Sequence, residues 1–262
     1  MRFPALDVSW AQKLRESYEQ LLSLHLAAIP KTSPDRLVFA WHAVANDYRQ
    51  LALVLYGSGG PVENVRQLLL DAARAHLEMV RLRGSGEFPS KLSLRDYSIG
   101  NSRATYLAIC MALLAHELDL ARALAPLVWD PPAANYIGPT SVVCTDLQQI
   151  AAYALKHLMM DNRESADALL SSKDRIPEDI IGEFLMLRGL ASADTRHIAK
   201  GLALELVAHA QMANEAKNLR VPDYFLAIPA LGLASYAIHR GMLKLTDLPS
   251  DNVYFPRDMI VF

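Results

Sequence analysis

Glu205 and His209 stand four residues apart in "LALELVAHA", a spacing that places a carboxylate and an imidazole one helical turn apart on the same face. Such a pair could shuttle a proton or supply half of a metal site. A plain surface or capping pair is the expected reading, ahead of a metal site. Three more histidines, His25, His42 and His76, lie on or beside apolar helical faces. They could converge on a metal, but imidazoles hydrogen-bonded at the edge of a core need no ion. His157, His197 and His239 sit near helix ends or charged neighbours and need no function. Cys110 in "LAICMALL" and Cys144 in "SVVCTDL" have apolar neighbours and no CxxC partner, so both read as buried, reduced thiols.

Longer motifs are missing from the sequence. It contains no HExxH, GxSxG, Walker loop or GxGxxG, and no paired Glu-x-x-His ligands of the kind a di-metal bundle requires. The expectation is no catalytic residue, no cofactor and no metal.

The elements that would position these side chains read as helices throughout. Trp10, Leu14, Tyr18, Leu21, Leu22 and His25 recur at three- and four-residue steps, as do Trp41, Val44, Ala45, Tyr48, Ala52 and Leu55. A third helix opens at Gly60-Pro61 and carries Val65, Leu69, Ala72, Ala73, His76, Leu77 and Val80 on one face, up to a "GSG" stop. A polar stretch from Gly84 to Asn101 reads as a long loop. Helical spacing resumes in "RATYLAICMALLAH" and "DLARALAPLV". The insert "WDPPAANYIGPTS" then puts Trp129 and Tyr136 outside regular structure. Further helices follow: one through Leu147 and Leu158, one near Glu164 to Leu170, one opening at Pro177, one from about Thr195 to Asn218, and an apolar one opening at Pro222.

No stretch alternates like a strand between hairpin turns. The predicted fold is all-α: stacked antiparallel helices in a bundle or short α-solenoid, with an extended C-terminal tail. The stretch "LALVLYGSGGPVENVRQLLLDAARAH" is similar to one degenerate tetratricopeptide unit, without a clean 34-residue period elsewhere. Residues 1–262 read as one all-helical domain or as two closely packed halves, 1–100 and 101–262.

Composition limits the function classes. The chain has 262 residues, is 52% hydrophobic and has a formal net charge of -2, which provides no basic stripe for nucleic-acid phosphates. The longest uncharged run, Tyr224 to His239, carries Pro229 and is shorter than the roughly 20 residues a spanning helix needs. The opening "MRFPALDVSW" shows no apolar signal region, so a cytoplasmic address is expected, with neither membrane nor nucleic acid as a partner. Acidity concentrates between Asp161 and Glu183. There Asp161, Glu164, Asp167, Asp174, Glu178, Asp179 and Glu183 face only Arg163, Lys173 and Arg175. Such a segment is a solvated face or a docking surface for a basic partner.

The C-terminal stretch "YFLAIPALGLASYAIHRGMLKLTDLPSDNVYFPRDMI" resembles the end of bacterial polymorphic-toxin immunity proteins of the immunity protein 49 family. The similarity lies in an apolar Ala/Leu-rich helix (Leu231 to Ile238), a basic-Gly helix end (His239-Arg240-Gly241) and an aromatic-x-Pro tail (Asn252 to Pro256, with Asp258). "SIGNSRATYLAICMALLAHELDLARAL" is similar to the family's central helix pair, with His116-Glu117 where the family pattern has Arg-Asp. The resemblance implies a non-catalytic protein that neutralises a cognate toxin or effector by direct binding. Trp129, Tyr136, Asp167, Asp174, Glu178 and Asp179 are the candidate partner-binding residues. A helical-repeat scaffold for a peptide or protein partner is the alternative, and an enzyme using His42, His76 or Glu205 is a third reading. The tail itself reads as packing: Gly241 ends the buried helix, and Tyr254, Phe255 and Ile260 cover an apolar end of the stack.

Overall fold

The computed structural model describes residues 8–84, 102–128, 146–171, 181–215 and 222–260. Among the described residues there are ten α-helices and no strand. They are α1 (Val8–Ala28), α2 (Leu37–Gly57), α3 (Val62–Gly84), α4 (Ser102–Leu114), α5 (Leu118–Leu124), α6 (Asp146–Met159), α7 (Arg163–Ser171), α8 (Ile181–Ser192), α9 (Thr195–Glu215) and α10 (Ile228–His239). No described helix is long and apolar enough to cross a membrane.

From α1 to α4 each helix packs on the next, and α4 passes the stack on to α5 and α6, from which it runs through α7 and α8 to α9. The tightest pairs are α2 with α3 and α8 with α9, which short turns fold back on each other. In the second pair glycines let the backbones meet. A Cβ on Gly182 would lie 2.4 Å from the Glu205 backbone nitrogen, and one on Gly201 would lie 2.6 Å from the Gly182 carbonyl oxygen.

Several helices end by the same device. Gly59 has φ 85° and donates its N–H to the Tyr56 carbonyl, while Gly60 reaches back to Leu55. These are the paired bonds of a Schellman motif, and they recur at Gly241 with φ 68°. His116 and Asp161 take the same left-handed position without being glycine, and each carries a side-chain tie. Arg66 donates to His116 Nε2 at 3.0 Å, and Arg240 donates to Asp161 at 2.7 Å.

Helix α10 returns to the middle of the stack. Nine of its twelve residues are buried, on all sides of the helix, and it touches α4, α8 and α9. A Cβ on Gly232 would sit 2.6 Å from the Cys110 carbonyl oxygen, so α10 and α4 approach almost backbone to backbone. Ser235 donates to the Leu113 carbonyl at 2.9 Å, and Tyr236 donates to the Leu158 carbonyl on α6 at 3.2 Å.

The expectation that this helix opens at Pro222 is corrected. Residues Pro222–Tyr224 make a short 3-10 turn, the chain then runs on without helix to Ala227, and α10 begins at Ile228 with Pro229 in its first turn. The physical reason is the tail: Ala227 donates its N–H to the Tyr254 carbonyl, a bond that an earlier helix start would forbid. The tail is largely internal, as the sequence suggested. Phe255, Met259 and Ile260 are fully buried, and Tyr56 donates to the Val253 carbonyl at 2.5 Å. One continuous core cluster takes residues from every helix, from Ala11 to Ile260.

Candidate functional site

Of the six residues proposed to bind a partner, Asp167 is described, half-buried on α7. Trp129, Tyr136, Asp174, Glu178 and Asp179 lie outside the described residues. The structure corrects the reading of the acidic segment around them. Glu183 is 3% exposed and accepts two bonds from Arg103 Nη1, at 2.7 and 2.8 Å. Asp161 is held by Arg240, and that hydrogen bond keeps its carboxyl below the usual range. Two of the seven acids thus meet cations of their own chain, because folding brings α4 and the end of α10 to them. Glu164 is exposed and carries the acidic character of this surface together with Asp167.

The Arg103–Glu183 pair anchors a buried polar group that sequence reasoning missed, since its partners lie 80 residues apart. The Arg103 guanidinium also stacks 4.8 Å from the centre of the Tyr106 ring. Burial pushes the Tyr106 hydroxyl and the Cys110 thiol well above their ordinary values, so Cys110 is an unreactive thiol, as expected. Cys144 lies outside the described residues.

Glu205 and His209 are not the surface or capping pair that their spacing suggested. Both are 7% exposed. His209 donates from Nε2 to the Tyr224 carbonyl at 3.0 Å and meets the Tyr254 ring edge-on at 5.2 Å. Burial lowers its pKa and keeps it neutral. The side chain fastens both the turn before α10 and the tail to α9.

The other histidines part company. His25 donates from Nδ1 to Asp47 at 2.5 Å, tying α1 to α2. His76 Nε2 lies 3.1 Å from the Thr105 hydroxyl, joining α3 to α4. His42 and His76 share the lining of a pocket of about 130 Å³ with Asn46, Arg49, Ala45, Ala104, Leu107 and Met111. Among the described residues no three His, Cys, Asp or Glu side chains gather into a metal site.

A larger concavity, about 560 Å³, opens between α9 and the tail. Its lining includes the buried Leu202, Leu206, Leu243 and Leu248 and the more exposed Ala199, Ala203 and Val207, the last 56% exposed.

Among the described residues these features define an all-α helical stack with α10 packed within it, a small pocket of mixed lining and an open apolar trough. Compared with known proteins, the chain matches no family model, no curated protein and no solved structure.

Proposed function

We propose that this chain is an immunity protein: a non-catalytic, cytoplasmic binder that neutralises a cognate bacterial toxin or effector through direct protein–protein contact. The observation that carries this reading is the position of α10. A peptide-binding helical repeat leaves its inner surface open for an extended ligand. Here that interior is occupied by the chain's own helix and tail. A partner is therefore met on outer helix faces, which packing holds preformed. An interface of standard size would take about 800 Å² from each partner.

The resemblance to the immunity protein 49 family supports the same reading, because its elements coincide with this internal segment. The Ala/Leu-rich run is buried α10, Gly241 is its left-handed stop, and Phe255 closes the core. Asp167 is the described member of the proposed partner-binding set, and Trp129, Tyr136, Asp174, Glu178 and Asp179, outside the described residues, are proposed with it from the sequence.

Co-expression with the C-terminal domain encoded by the neighbouring reading frame tests the proposal. Growth rescue together with a stable co-purified complex is the expected result. Rescue with no complex, or no toxicity to rescue, would sink the binder reading. Asp167→Arg on α7 and Val207→Arg in the trough then tell which face meets the toxin. A second reading, a small-molecule site of the kind an enzyme or sensor uses, has one observation in its favour: His42 and His76 line the same pocket.

A further inference from the structure

We propose that the pocket between α2, α3 and α4 binds a small carboxylate carrying a short aliphatic stem. This goes beyond the immunity reading and does not depend on it.

The two long walls of the pocket differ in chemistry. Helix α2 presents His42, Asn46 and Arg49 at i, i+4 and i+7, one polar face. Helix α4 presents Ala104, Leu107 and Met111 at i, i+3 and i+7, one apolar face, and His76 from α3 closes the site. A ligand that satisfies both walls has an anionic head toward α2 and a few carbons against α4.

The head group is set by Arg49. Its guanidinium donates to Asp223 at 2.6 Å and to Asn46 Oδ1 at 3.1 Å, which leaves further N–H donors of its fork. Because Asn46 Oδ1 accepts from Arg49, its amide N–H₂ is the end left to donate. Asp223 belongs to the 3-10 turn before α10 and is not part of the pocket lining. Burial first and then the Arg49 charge hold the His42 pKa below its ordinary value. From α3 His76 lines the same pocket, and the α4 residues that line it, Ala104, Leu107 and Met111, carry no charge. The volume of about 130 Å³ is close to that of the roughly 150 Å³ cavity that takes up benzene, room for a short acid.

The test is a histidine-selective ¹⁵N NMR titration of the full chain with sodium butyrate at constant ionic strength, using His42→Gln to assign the resonance. Butyrate should raise the His42 midpoint by about one pH unit, saturably, because a nearby anion favours the imidazolium. n-Butanol and butylammonium should leave it in place. Arg49→Met should weaken butyrate at least about tenfold, as expected on losing a charge-assisted bond. A parallel titration with N-acetylglutamate amide separates two sources of the same chemistry. If it shifts His42 as butyrate does, the carboxylate belongs to a partner's side chain; if butyrate acts alone, the ligand is a free acid. A response to butyrate no larger than that to chloride, or unchanged binding in Arg49→Met, overturns the proposal.

Discussion

Helices α10 and α1 show what makes a helix internal or peripheral in this molecule. α10 has small residues where neighbours come closest, Gly232 against Cys110 and Ala234 among its fully buried positions, so other helices can press on it from every side. α1 is longer, at 21 residues, yet among its described side chains only Ala11 and Leu22 are buried. Leu24 is 67% exposed, and α1 is fastened to α2 by a narrow apolar stripe and the His25–Asp47 bond. Length and helical propensity therefore do not decide which helix holds the fold; side-chain size at the crossings does.

The contrast can be broken most sharply in the tail that accompanies α10. Phe255→Ala empties a fully buried aromatic site and should cost about 4 kcal/mol in urea unfolding, enough to erase much of a marginal domain's stability. Next is the pair that fixes α8 to α4. Glu183→Ala should cost about 3 kcal/mol by leaving Arg103 against the core without its anion. The double change Arg103→Met with Glu183→Leu should recover most of that loss, and failure to recover would assign the cost to packing instead of charge.

A smaller effect is expected from pH. His209, and His42 with it, have folded-state pKa values lowered from 6.5 by burial, so the unfolded chain binds protons that the folded chain refuses. Their contribution is fully present above about pH 6.5 and is lost as pH falls below it. The melting temperature should decline from pH 7.5 to 5, and His209→Gln, which keeps an N–H for the Tyr224 carbonyl, should flatten that decline. On the other side of the comparison, Leu24→Ser on α1 should change unfolding free energy by less than about 0.5 kcal/mol. A loss several times larger would mean that this face of α1 is covered in solution.

Helical spacing revealed most of the elements because amphipathic periodicity is a local property. The α2–α3 pair, its Gly60-Pro61 junction and the stop at Gly241 were legible from neighbouring residues alone. The start of α10 was not, since Pro222 and Pro229 both mark helix openings and the choice rests on the bond between Ala227 and Tyr254, 27 positions further on. The same limit hid the site. Glu183 looks like one more acid in a charged run until Arg103 arrives from another helix. Glu205 and His209 look like a surface pair until α8 packs against the first and the tail against the second. His42 and His76 were visible as histidines beside apolar faces, but only packing shows that they line one pocket.

The placement of α10 also has a consequence for biosynthesis. A ribosome delivers this buried helix after α1 to α9, so until then the faces of α4, α8 and α9 that it covers lack their partner. Fragments released by premature termination before Ile228 would keep those faces uncovered and become targets for chaperones and proteases. Synthesis of α10 and the segment after it thus acts as a quality gate for the helices that precede them.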